Sequence, residues 1–429
     1  MATPRSYDCY VYVQLPKSLE VVTCGHFVQE QRGQAALVGR FIYSRRYRER
    51  EDAVPIDPVN LPLTSEEKVV AGESAIFGAL RDAAPDAWGR RIIERALQRT
   101  DLSEVEYLLE SPDDRAGALS FGRDQFPPAP VRPYNRIVQL QELYDAAREL
   151  EADRGGVALP PKVAALASLL VPGTSMGGAR PKNVVEDDQG LWLAKFPARD
   201  DRWNNAPVEA GLLNLAKRCG IRVPVTRIER LGEHHILLVS RFDREPAADA
   251  AGKYLRHRMV SALTVLDASE SAVERRHWSY PLFADELRRW SSRSVRDQRE
   301  LFRRMVFNAL VSNSDDHPRN HALVAPGASF ELAPAYDITP TRHFGQLERD
   351  LALEVGAHGR AATRANALSM APRFSLSAVE ADGIIDAMVL TVRAEWEAEL
   401  KRAGATQQDI DTVRSAILNE GFEYGTLPA

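Results

Sequence analysis

The run NSDDHPRNH, residues 313–321, constrains this chain more than any other stretch. It gathers Asn313, Asp315, Asp316, His317, Asn320 and His321 within nine residues. It follows directly on Arg296–Val311, whose Leu301, Met305, Phe307, Leu310 and Val311 form the apolar set of a packed helix. A fold that accepts this order must stop a core helix and turn at once into a loop dense in carboxylate, amide and imidazole. Further on, LAPAYDITP places Asp337 in an apolar strand-to-turn setting, 17 positions beyond Asn320.

Composition narrows the classes of protein that could carry such a loop. The chain has 429 residues, enough for two or three domains or one large lobed one. Its formal net charge of −5 argues against broad, unspecific coating of DNA or anionic lipid, while leaving room for a local basic groove. Three widely spaced cysteines, Cys9, Cys24 and Cys219, with no CxxC pair, support neither a disulfide framework nor a structural zinc site. A reducing cytoplasm is the simplest home. The N-terminal MATPRSYDCYVYVQL lacks the apolar core of a signal peptide, and no stretch approaches the roughly 20 apolar residues of a membrane span.

Along the chain, Tyr7–Val13, Glu20–Val28 and Ala35–Tyr43 read as strands. Thr64 and Glu67 have capping-box spacing and predict a short helix there. Pro85 suits the first turn of a helix in DAWGRRIIERALQRT. Four prolines between Gln125 and Pro133 mark a linker. Asn135 is placed to cap a helix to Leu150, and a second helix is expected over Pro161–Leu170. Then the character changes. A Gly-rich loop, PGTSMGGARPK (172–182), precedes strands Asn183–Glu186 and Leu191–Phe196 around a DDQG turn. A helix over Val208–Cys219 ends at Gly220, and strands Val225–Arg230 and His235–Arg241 follow. From about 254 the chain reads as helical, with further helices over Ala378–Leu400 and Gln407–Leu418. The expected division is 1–125, 134–253 and 254–429.

Several constellations bear on chemistry. Gly173, Gly177 and Gly178 permit close backbone approach to a ligand, and successive N–H groups can cradle phosphate, with Lys182 as a point charge. The loop matches neither G-x-x-x-x-G-K-[ST] nor G-x-G-x-x-G, and a surface turn is its ordinary reading. Lys195, interrupting the apolar LWLAKFP, must find an anion or reach solvent. It reads either as a phosphate-binding lysine or as an edge-strand charge. Phosphoryl transfer needs a carboxylate for the hydroxyl proton and an oxygen ligand for Mg²⁺ close by, and Asp315 and Asn320 stand in that relation, with Asp337 as a second acidic ligand. A metal hydrolase is the competing reading. His317 and His321 are four apart, but Pro318 lies between them and no Glu follows His317 as a zincin requires. No G-x-S-x-G supports a serine hydrolase. RFDR (241–244) after HILLVS stands where a two-lobed nucleotide-binding fold would place a hinge, although a charged strand end explains it equally. Glu209 reads as a partner for Lys195 or an exposed helical Glu, and SRRYRER (44–50) as a nucleic-acid contact or a solvated loop.

Taken in order, the Gly-rich loop, Lys195 in AKFP, RFDR, NSDDHPRNH and LAPAYDITP resemble the HipA family of serine/threonine kinases, toxins of bacterial toxin–antitoxin pairs and their relatives. The family pattern N-x-D-x-H-x-[KR]-N is met by Asn313, Asp315, His317, Arg319 and Asn320, and DAAPDAWGRRII (82–93) and DDRAGALSFG (113–122) resemble N-terminal family segments. The resemblance implies an α+β, two-lobed fold: a small N-terminal α/β subdomain, a β-rich nucleotide-binding lobe and an all-α C-terminal lobe. It implies ATP and Mg²⁺, with Asp315 as catalytic base and Asn320 and Asp337 as metal ligands. Lys195 would pair with nucleotide phosphates, and Gly177, Gly178, Ala179, Arg180 and Lys182 would form the phosphate loop. Ser240, Arg241 and Phe242 would line the adenine hinge, with His317 near the nucleotide. Ser175 would be the loop serine that family members autophosphorylate. The loop departs from the A-G-A-Q-E-K of characterised toxins, and Pro181 removes one N–H donor from it. The implied partners are a protein substrate, for which the family precedent is an aminoacyl-tRNA synthetase, and a HipB-like helix-turn-helix antitoxin carrying most of any DNA contact, with no membrane. The alternative is a catalytically weak binding protein acting as corepressor with that antitoxin.

Overall fold

The structure is a computed structural model that describes residues 5–31, 36–128, 134–152, 170, 180–270, 275, 277–341, 349–418 and 420–424. The chain divides into two compact units. The first comprises 1–199, 240–260 and 324–328, the second 200–239, 261–323 and 329–429. The helix expected over Pro161–Leu170 and the loop positions Ser175, Gly177, Gly178 and Ala179 lie outside the described residues, apart from Leu170 itself.

In the first unit, β1 (Arg5–Gln14), β2 (Val21–Gln31), β3 (Val38–Tyr43), β4 (Lys68–Ala71) and β5 (Leu119–Gly122) form an antiparallel sheet in the order β4-β3-β2-β1-β5. Cys9, Val11 and Val13 of β1 share one buried face, and Tyr12 on the opposite face is buried as well. β4 corrects the helix expected at Thr64–Glu67. Glu67 does not turn back to cap; its carboxylate pairs with Arg40 of β3 at 2.9 Å, and the Val-Val that follows joins the sheet as Phe41↔Lys68 and Arg40↔Val69. A long-range ion pair and β-branched residues outweigh the local capping pattern.

Helix α1 (Ala87–Leu97) is capped by Asp86, which accepts from the Gly89 N–H at 2.8 Å, so Pro85 stands just before the cap rather than in the first turn. Trp88, Ile92 and Ile93 face the core. Helix α2 (Glu104–Glu110) begins with a full capping box from Ser103 and Glu106. Arg115, fully buried, donates to the carbonyls of Leu108 at 3.0 Å and Ser111 at 2.8 Å, supplying partners to the end of that helix, and its guanidinium lies 4.8 Å from the Phe121 ring centroid.

The same unit holds β6 (Asn135–Arg136), β7 (Lys182–Asp187) and β8 (Gly190–Lys195). Asn135 is not a helix cap. It pairs in parallel with Val185 of β7, its amide donates to Asn183 at 2.9 Å, and the helix that follows, α3, starts only at Leu140 and runs to Ala152. β7 and β8 form the hairpin expected around DDQG, with Gly190 at φ 132°.

The segments DDRAGALSFG and RFDR, far apart in sequence, meet at Asp243. This carboxylate is wholly buried and is held by Arg241 at 2.7 Å and Arg244 at 2.7 Å, and it accepts the Gly117 N–H at 2.9 Å. Arg244 returns to the Gly117 carbonyl at 2.9 Å, and Arg241 to the Asp114 carbonyl at 3.0 Å. Gly117 sits at φ 76°, a left-handed conformation that a side chain would resist, with Met259 N only 3.3 Å from where a Cβ would stand. Burial by itself would raise the Asp243 carboxyl; the two guanidinium groups and the Gly117 N–H overcome that and hold it well below the ordinary carboxylate range.

In the second unit, α4 (Asn205–Arg218) leads through Gly220 (φ 76°) to the hairpin β9 (Thr226–Leu231) and β10 (His234–Ser240). The helices α5 (Tyr280–Trp290), α6 (Ser294–Leu310), α7 (Ala378–Arg402) and α8 (Gln407–Val413) follow. α4 and α7 approach closely at Gly211, where a Cβ would lie 2.8 Å from the Leu400 Cα. Phe302 of α6 packs edge-on to Phe374 at 5.5 Å. Among the described residues no helix is long and apolar enough to cross a membrane, and Cys9, Cys24 and Cys219 are buried thiols.

Replacing Asp243 by Asn leaves two buried guanidinium groups short of a counter-charge, and we expect a loss of about 3–5 kcal/mol in denaturant unfolding. The pH dependence has a definite sign. The folded carboxyl titrates below the unfolded one, so its stabilisation is complete above roughly pH 4 and is lost as pH falls below that. The unfolding midpoint of Asp243→Asn should therefore fall less steeply with acid than that of the wild type.

Candidate active site

The helix α6 ends in a way its sequence does not announce. Ser312, not glycine, takes the left-handed position at φ 51°, and the Asn313 N–H closes back on the Asn308 carbonyl at 2.8 Å. The Asn313 amide also donates to the Asn308 side chain at 3.1 Å. The polar loop thus leaves the helix in one direction.

The two adjacent aspartates then part. Asp316 turns inward and is buried. It accepts from the Tyr280 hydroxyl of α5 and from His321 Nε2 at 2.7 Å, while Asn308 donates to the Tyr280 oxygen at 3.1 Å. Burial, then the neighbouring Asp316, pushes the Tyr280 hydroxyl well above its ordinary value, so it stays a donor. Asp315 turns outward and reaches solvent. Partial burial raises its carboxyl; His317 opposes that, and the negative charges of Asp337 and Asp316 add to it.

Hydrogen bonds join the loops. Tyr336 donates its hydroxyl to the Arg319 carbonyl at 2.8 Å, and the Thr341 N–H donates to the Ser312 carbonyl at 2.8 Å. Asp337, at φ 59°, occupies a left-handed turn position that Asp tolerates better than most residues. Asn320 lies in a short 3₁₀ turn, Pro318–Asn320, with Pro318 at its start. Its amide nitrogen donates to the Asp315 carbonyl at 3.3 Å, while its oxygen Oδ1 is buried with no hydrogen-bond partner. A buried carbonyl oxygen left unpaired is costly, and a hard divalent cation is the kind of partner it suits. The donor set of one amide oxygen and carboxylate fits Mg²⁺ rather than zinc. Among the described residues, no group of three or more His, Cys, Asp or Glu is assembled for a metal. The hydrolase reading loses its geometry as well: the 3₁₀ turn keeps His317 and His321 off a common α-helical face, and His321 is committed to Asp316.

In the first unit the expected nucleotide residues divide. Lys182 is not a loop residue but the first of β7; it is buried, and its ammonium lies 2.6 Å from Asp86. Lys195, directly opposite Lys182 at the end of β8, is partly exposed. Arg241 does not offer its side chain to a ligand, being committed to Asp243, and its N–H donates to the Leu191 carbonyl at 2.9 Å. Sequence reasoning missed the roles of Tyr280, Asp316 and Asp86, since each depends on a partner distant in the chain.

The HipA-like C-terminal domain family matches residues 174–396, and the HipA N-terminal domain family matches residues 19–122. The chain belongs to the HipA family. A candidate kinase of Sinorhizobium fredii, Y4mE, is 25% identical over 416 residues, 92% of this chain and 86% of that one. A candidate kinase of Haemophilus influenzae is 24% identical over 192 residues, 41% of this chain and 55% of that one. The fold resembles that of HipA from a HipA, HipB and operator DNA complex of Shewanella oneidensis, with a TM-score of 0.69 and 16% identity over 95% of this chain and 94% of that one. These likenesses support a HipA-like kinase of mixed α and β structure.

The inward network makes its own prediction. Tyr280→Phe removes one donor from the buried Asp316, and we expect a stability loss of about 1–3 kcal/mol by denaturant unfolding, with the chain still folded.

Proposed function

We propose that this HipA-family chain is an ATP- and Mg²⁺-dependent protein serine/threonine kinase of the cytoplasm, with Asp315 as the base that takes the proton of the attacking hydroxyl. The observation that supports this reading is the exposed Asp315 in the same loop as the buried, unpartnered Asn320 oxygen, with the Asp337 segment bonded to that loop through Tyr336 and Thr341. Asn320 and Asp337 are the residues that would hold Mg²⁺, which when bound neutralises phosphate charge. Asp315 orients the substrate hydroxyl and takes its proton. His317 stands beside Asp315 and moderates its charge. Asp316 remains a buried support for the loop.

Lys195 is assigned to the nucleotide phosphates, with Gly177, Gly178, Ala179 and Arg180 as the phosphate loop and the backbone of Ser240 to Phe242 for the base. Ser175 is the proposed site of autophosphorylation; a phosphate added to a loop suited to bind phosphate would repel nucleotide. The family's toxin–antitoxin relatives support a HipB-like helix-turn-helix partner through which this chain would contact DNA, and a cytoplasmic protein as substrate.

Intact-mass spectrometry after incubation with ATP and Mg²⁺ tests the activity, with one added phosphate mapping to 172–182 expected. Asp315→Asn should lower transfer by at least 1000-fold while leaving ATP affinity within a fewfold of wild type. Labelling at the wild-type rate would remove Asp315 from its role. Asn320→Ala should raise the Mg²⁺ concentration needed for half-maximal rate at least tenfold, and an unchanged requirement would reassign the ligand.

A further inference from the structure

β7 and β8 carry an arrangement that a sheet does not tolerate unaided. Lys182 and Lys195 are directly opposed in the antiparallel register, so their side chains leave the same face. Like charges in that relation repel. The structure answers with Asp86. One carboxylate oxygen lies 2.6 Å from the Lys182 ammonium, and both side chains are almost wholly buried, 3% and 2% exposed. The other oxygen accepts the Gly89 N–H at 2.8 Å and so caps α1. Asp86 is therefore fixed by its helix and itself fixes Lys182. Next to this pair, the Phe196 N–H donates to the Pro181 carbonyl at 3.0 Å, so the start of β7 is held by backbone as well as by charge.

We infer that Asp86, in the PDAWG segment of the N-terminal region, is a positioning residue for nucleotide binding: by binding Lys182 and capping α1 it fixes the start of β7, and with it the register position at which β8 carries Lys195. This rests on the kinase reading, in which Lys195 takes the phosphates. Asp86 touches no substrate; it acts through Lys182 and the strand pair. A lysine displaced by an ångström is enough to lose much of an oriented interaction. The arrangement also makes ATP affinity dependent on the N-terminal region being folded onto this hairpin.

The test uses the full chain and four forms: wild type, Asp86→Asn, Lys182→Met, and the double variant. Asn still caps a helix, so Asp86→Asn removes the charge with little harm to α1. We expect Asp86→Asn to raise the KM for ATP and its dissociation constant at least tenfold, with kcat changed less than threefold. The double variant removes both members of the Asp86–Lys182 pair. Its thermal unfolding should return toward wild type while its ATP affinity stays at least tenfold weaker. If Asp86→Asn does not fold, the double variant decides. Wild-type ATP affinity in the double variant, or in a folded Asp86→Asn, overturns the positioning role and leaves the kinase reading intact. A folded wild-type chain that binds no ATP overturns both.

Discussion

A carboxylate taken out of water must be neutralised or fully hydrogen-bonded, and the polar loop after α6 depends on how Asp316 meets that demand. Tyr280 and His321 converge on it, and Asn308 braces Tyr280 in turn. With one aspartate anchored inward, its neighbour in the chain is turned outward. The loop therefore presents Asp315 by the same bonds that satisfy Asp316. The left-handed Ser312 and the return bond from Asn313 set the point from which the loop departs.

The same physics recurs twice in the first unit, each time with a structural rather than chemical result. Asp243 binds Arg241 and Arg244 and receives Gly117, fastening DDRAGALSFG to RFDR. Asp86 binds Lys182 while capping α1. In both cases residues with the look of a nucleotide site turn out to be engaged by a buried acid. Removing one member of such a pair is costly because the remaining charge has no solvent to fall back on. That is why these motifs, which look charged and superficial in sequence, lie in the interior.

Much of the fold was legible in the chain because it is written in local terms. The Val-, Tyr- and Phe-rich strands β1 to β3, the DDQG hairpin and the apolar face of α6 follow from β propensity, turn chemistry and helical periodicity. The failures were also local in origin. Thr64 and Glu67 met the capping spacing, yet Glu67 pairs with Arg40; Asn135 looked like a cap, yet it pairs with Val185. A nearby pattern yields when a distant strand offers more hydrogen bonds.

What the sequence by itself determined was the cast of the candidate active-site loop: Asn313, Asp315, His317 and Asn320 at fixed spacing behind a core helix, with Asp337 in a second apolar segment. Spacing along one loop is set by covalent geometry, so it survives without tertiary knowledge. Only the tertiary structure decided which of two adjacent aspartates faces outward, that Asn320 keeps a buried oxygen without a partner, that Lys182 is held by an acid from a distant segment, and that Arg241 is buried against Asp243 of its own motif. Those outcomes depend on Tyr280, Asp86 and the Gly117 segment, each brought in by packing. Burial, which gives a charge its cost and its partner, is a property of the folded chain and not of its order.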